Sequence, residues 1–159
     1  MDGGVALVLA LANEAATGRL AARLARSARK GDVIALKGEL GTGKTTFARA
    51  LIRARLGDST EVPSPTFTLV EVYGGDLALP IWHFDLYRLN SAEEVRELGF
   101  EEALADAVSL VEWPERLGPW LPPERLELTF GAGPTPESRI VTVAAAAAWH
   151  DRIEGLSGV

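Results

Sequence analysis

Four residues make the first chemical statement of this chain. Gly38, Gly43, Lys44 and Thr45 meet the spacing G-x-x-x-x-G-K-[ST] inside "VIALKGELGTGKTTFARALI", and Gly41 adds a further glycine to the same turn. Glycines at such points let backbone N–H groups turn inward around phosphate oxygens with no side chain in the way. The Lys44 ammonium is expected on the β- and γ-phosphates, the Thr45 hydroxyl on Mg2+, and Thr46 within reach of the α-phosphate. The expected nucleotide contacts are thus Glu39, Leu40, Gly41, Thr42 and Gly43 of the loop, followed by Lys44, Thr45 and Thr46.

A Mg2+–nucleotide site of this kind also takes a carboxylate from the tip of a neighbouring strand, to hold the metal or to prepare the attacking water. Two acids end apolar runs, Asp85 after "LPIWHF" and Glu112 after "AVSLV". Sequence leaves their division of labour open. The favoured order puts Asp85 at the metal and Glu112 on the water, with the reverse acceptable. His83, two residues before Asp85, shares its side of a strand and reads as a satisfied structural histidine. Trp113 reads equally as core or as a platform for a base. Thr66, between Pro63-x-Pro65 and the next strand, stands where switch loops of phosphate-loop proteins sense the γ-phosphate.

Elements must place these groups. Residues 5–11 form an apolar run that suits a buried strand, and Asn13 caps a helix over about residues 14–30 that buries Ala16, Leu20, Leu24 and Ala28. Residues 33–37 feed the glycine loop as a strand. Residues 44–56 follow as a helix with Phe47, Ala50, Leu51 and Ala54 inward and Gly57 as its stop. Residues 68–73 and 79–84 alternate in strand fashion about Gly74-Gly75-Asp76, and Ser91-x-x-Glu94 is a capping box. A short helix over 100–106, a buried strand over 107–111, and closing strands over 126–130 and 139–144 complete the pattern, while the tail after residue 148 is poorly specified. The expected fold is α/β: a single domain over residues 1–159, three layers, with a mixed, mostly parallel sheet.

Composition narrows the function. The 159 residues are 47% hydrophobic and 24% charged, an ordinary balance for a globular domain, and no apolar stretch is long enough for a membrane span. No basic, apolar leader opens the chain and cysteine is absent, so the expected location is cytoplasmic. A net charge of −6 argues against broad nucleic-acid binding by this chain alone. Arg19, Arg23, Arg26 and Lys30 nevertheless line one face of the first helix, as a solvated surface or as a docking stripe. The asparagines are Asn13 and Asn90, neither followed by lysine, so the N-K-x-D guanine reader is missing and ATP is the expected nucleotide. A small-molecule kinase is the alternative, but it wants an arginine-rich lid, and Arg116 and Arg125 instead flank "LGPWLPPE".

The blocks "GELGTGKTTF", "VPSPTFTLVEVY", "HFDLYRL", "ELGFEEAL" and "LVEWPERL", in this order, resemble the TsaE (YjeE) family over about residues 16–117. The resemblance implies a P-loop ATPase needed for threonylcarbamoyl modification of the tRNA adenosine beside the anticodon. It implies a TsaB–TsaD pair as partner, with tRNA met only through that complex. By the same resemblance Thr66 belongs to the switch loop, Asp85 and Glu112 serve metal and hydrolysis, and Trp113 lies by the nucleotide. Thr42 departs from the alanine frequent in the family's loop and puts a hydroxyl near the phosphates. No arginine finger is evident, so slow hydrolysis by the isolated chain is expected.

Overall fold

A computed structural model of the chain describes residues 5–63 and 69–159. One seven-stranded sheet in the order β1-β7-β6-β2-β5-β4-β3 organises it. The strands are β1 (Val5–Leu11), β2 (Val33–Lys37), β3 (Val70–Tyr73), β4 (Ile81–Asp85), β5 (Val108–Glu112), β6 (Leu126–Ala132) and β7 (Arg139–Ala145). The four middle strands β6, β2, β5 and β4 are mutually parallel, and β1 runs with them, while β7 and β3 run against them. The sheet is therefore mixed and mostly parallel, as its sequence pattern implies. Among the described residues no helix is long and apolar enough to cross a membrane.

Side chains alternate across β2 and so feed two cores. Ile34 and Leu36 join the larger one, with Leu20 and Leu24 of α1 (Glu14–Arg26) and Phe47, Leu51 and Ile52 of α2 (Lys44–Leu56). Val33 faces the other side, where Phe84, Val111 and Leu117 meet Val95 of α3 (Glu94–Glu97) and Phe100 of α4 (Phe100–Asp106). The result is three layers. Each buried Leu or Phe is worth about 1.5–3 kcal/mol of transfer free energy, so both cores pin the strand tips that carry the acids. The second layer stops short of β1, β7 and β6. There Ala6, Val8, Ala10, Thr129 and Thr142 stay exposed, which makes β1 an edge strand buried on one face only.

Asn13 accepts the Ala16 N–H at 3.0 Å and caps α1 as expected. Of the capping box only one half is made: the Glu94 carboxylate accepts the Ser91 N–H at 3.0 Å, but α3 starts at Glu94 after Glu93, with no side-chain cap. Three readings need correction. Helix α1 ends at Arg26, not near residue 30, because Arg152 takes the Ser27 carbonyl and the Asp32 carboxylate takes the Arg29 N–H. Helix α2 buries Ala48 and Ile52 and leaves Ala54 exposed, since α1 and the sheet meet it on adjoining sides. The tail beyond residue 148 is well anchored: Trp149, Ile153 and Leu156 enter the larger core, and Arg152 forms a buried ion pair with Asp32.

Candidate functional site

The site forms where β2, β4 and β5 end side by side. Strand β2 runs into residues 38–43, and Gly43, at φ +109°, opens α2 with Lys44 as its first residue. The helix N-terminus thus faces the loop and favours an anion there. Gly38 has φ +133°, and a Cβ on it would sit 2.5 Å from the Phe130 carbonyl oxygen and 2.8 Å from Thr42 Oγ1. Such backbone strain costs about 1–3 kcal/mol. Gly38→Ala is therefore expected to displace the loop and weaken ATP binding about tenfold in a calorimetric titration; unchanged affinity would mean the loop reshapes freely.

Two groups brace the loop from within the chain. The Thr42 hydroxyl donates to the Glu39 carbonyl at 2.6 Å, so it is spent on loop geometry. Arg139, at the start of β7, donates through Nε to the Thr42 carbonyl at 3.0 Å and through a terminal nitrogen to the Gly41 carbonyl at 3.5 Å. Sequence reasoning passed over Arg139 because its role depends on β7 lying beside β6, which lies beside β2. An arginine directly after the Gly/Pro-rich turn of the last hairpin was the only local signal.

Lys44 is buried and points back over the loop. Its Nζ donates to the Gly38 carbonyl at 2.6 Å and stands 3.5 Å from the centroid of the Trp113 ring. Burial pulls the Lys44 pKa below the usual lysine value, and the negative charges of Glu112, Asp85 and Glu115 oppose that shift. Trp113 follows β5 in a left-handed conformation (φ 60°, ψ 51°), uncommon for a bulky residue, and its ring also meets Tyr87 with centroids 4.9 Å apart. The indole is thus held at the lysine end of the loop.

Parallel pairing puts Asp85 directly opposite Glu112 in Cα register, and the strand period puts His83 on the same face. Glu112 is only 3% exposed. The Thr45 hydroxyl lies 3.3 Å and 3.4 Å from its two carboxylate oxygens, and His83 Nε2 lies 2.7 Å from Oε2. Asp85 is more open and accepts the Tyr87 backbone N–H at 3.2 Å. Burial, and then the charge of Glu112, raise the Asp85 pKa above the usual carboxylate value; the Tyr87 N–H, His83 and Lys44 pull the other way. The structure therefore brings Lys44, Thr45, Asp85, Glu112 and Trp113 together. Thr66 lies outside the described residues.

These donors suit Mg2+ shared with a nucleotide. Among the described residues no three His, Cys, Asp or Glu side chains form a cage able to hold a metal ion by themselves. A hydroxyl and a carboxylate beside a phosphate loop are the donors Mg2+ takes when substrate phosphates complete its shell.

Comparison with known proteins gives the family. The family model described as "Threonylcarbamoyl adenosine biosynthesis protein TsaE" matches residues 11–140. The chain is 45% identical over 123 residues to the tRNA threonylcarbamoyladenosine biosynthesis protein TsaE of Rickettsia felis, covering 77% of this chain and 71% of that one. It is 36% identical over 146 residues to the protein of that name from Bacillus subtilis, covering 91% and 90%. The crystal structure of Bacillus subtilis YdiB is similar with a TM-score of 0.77 and 31% identity, over 98% of this chain and 96% of that one.

Proposed function

We propose that this chain, which belongs to the TsaE family of tRNA threonylcarbamoyladenosine biosynthesis proteins, is a Mg2+-dependent ATPase that supports threonylcarbamoyl modification of tRNA adenosine by acting on a TsaB–TsaD complex. One observation carries the reading. The Thr45 hydroxyl at the head of the phosphate-loop helix faces the buried carboxylate of Glu112, with Lys44 poised over the same loop.

That contact favours Glu112 at the metal and Asp85 on the water, the reverse of the order favoured from sequence. Thr45 and Glu112 would hold Mg2+, which supplies charge neutralisation at the β- and γ-phosphates. Loop N–H groups and the α2 N-terminus bind the phosphates. Lys44 leaves the Gly38 carbonyl and the Trp113 ring for phosphate oxygens and stabilises charge that builds as the γ-phosphoryl group departs. Asp85 orients water for in-line attack and takes the proton that the water gives up. Arg139 is engaged with loop carbonyls, so a partner is the natural source of an arginine that would speed turnover.

On this reading the protein acts in the cytoplasm and meets tRNA through the complex, in keeping with its net charge of −6. The docking stripe on α1 is then Arg19 and Arg26, both exposed; Arg23 instead donates to the Glu154 carbonyl at 3.1 Å. Reversing Arg19 and Arg26 to glutamate is expected to weaken TsaB–TsaD binding about tenfold and leave ATP affinity unchanged, as calorimetry with each would report. Equal affinity for the pair would remove the stripe from the interface. The function itself is tested by Mg-ATP hydrolysis with and without purified TsaB–TsaD. Slow turnover alone and strong stimulation by the pair are expected, and no stimulation would overturn the proposal.

A further inference from the structure

The geometry points to His83 as the positioning residue for Glu112: its imidazole fixes one carboxylate oxygen so that the other is presented toward Thr45 and the metal. This rests on the assignment of Glu112 to Mg2+ made above.

The His83 side chain is only 1% exposed, yet it lies on the face of β4 that carries Asp85. A histidine kept merely to fill the core needs any acceptor; this one meets an acid at the centre of the proposed site. An ionised carboxylate only accepts hydrogen bonds, so the Nε2 facing Glu112 carries the proton and donates it at 2.7 Å. Oε2 is then occupied by a short, charge-assisted bond. Among the described residues, Oε1 is left with the Thr45 hydroxyl, at 3.3 Å. His83, from β4, holds Oε2, while the Thr45 hydroxyl, from α2, sits nearly equidistant from both oxygens, and the two together fix the plane of the carboxylate. Without His83 the buried Glu112 side chain would keep, among the described residues, the Thr45 contacts, both long for O–H···O bonds. It could then turn toward Lys44, whose charge it already feels.

Partners of this kind typically contribute about 10- to 100-fold to metal affinity. The readout is therefore the Mg2+-dependent part of nucleotide binding: calorimetric ATP affinity with Mg2+ divided by that with EDTA, alongside thermal unfolding. His83→Leu is expected to cut this ratio about 10- to 100-fold and leave affinity in EDTA unchanged. His83→Gln, whose amide nitrogen can take the place of Nε2, is expected to restore most of the ratio.

A His83→Leu protein with the wild-type ratio overturns the positioning role. If His83→Leu unfolds or loses affinity in EDTA as well, His83→Gln decides. A full ratio in the glutamine variant supports the role, and a lost ratio in a folded glutamine variant overturns it. Glu112→Gln separates this inference from the reading beneath it. If that variant keeps the wild-type ratio, Glu112 is not at the metal, whatever His83 does. If it loses the ratio while His83→Leu keeps it, only the positioning role falls.

Discussion

Lys44→Ala is expected to abolish measurable ATP hydrolysis and to weaken Mg-ATP binding by roughly one to two orders of magnitude. The ammonium has been placed in a buried position where the chain supplies two temporary partners, the Gly38 carbonyl and the Trp113 ring. Charge-assisted hydrogen bonds are worth about 1.5–3 kcal/mol, which sets the loss in affinity. The loss in turnover is larger, because negative charge builds on the β–γ bridging oxygen as the γ-phosphoryl group departs; removing one preorganised donor typically costs about 10²–10³ in kcat. Calorimetry for binding and phosphate release for turnover check the two parts separately. A variant that binds Mg-ATP like the wild type would remove the loop from the function altogether.

The two acids are expected to fail in different ways. Asp85→Asn should bind Mg-ATP normally and lose about 10²–10⁴ in partner-stimulated turnover, the usual range for a positioned base. Glu112→Gln should lose the Mg2+-dependent gain in nucleotide affinity as well as turnover, since it faces the Thr45 hydroxyl directly. The difference follows from their surroundings. Glu112 is buried between β4 and α2, whereas Asp85 is more open and held mainly by the Tyr87 N–H. Metal titration of nucleotide binding, set beside phosphate-release rates, separates the two roles. Identical defects in both variants would mean that the acids act as one unit at the metal.

What was legible in the sequence was local. The glycine spacing, the β-branched start of β2 and the Asn13 cap each express a backbone requirement satisfied within a few residues, and all three stand in the structure. Asp85 and Glu112 could be found because each ends an apolar run, and parallel strands deliver their tips to one edge of the sheet. Their neighbours could not be ranked in the same way. The His83–Glu112 contact spans 29 residues and depends on the register of β4 against β5, which no short pattern records. Arg139 reaches the loop across 97 residues, and Arg152 closes the end of α1 across 125. The buried face of α2 is wider than a single apolar stripe because α1 and the sheet both meet it, so a stripe undercounts its core positions.

On the proposed function, ATP splitting by this chain lets a TsaB–TsaD complex turn over. That claim is tested most directly by counting threonylcarbamoyladenosine formed per TsaB–TsaD complex in Mg-ATP, with the wild-type chain, with Lys44→Ala and with neither. Modification should continue round after round only with the wild-type chain and stop after a single round in the other two. Continued turnover with Lys44→Ala, or with no chain added, would overturn the proposed function.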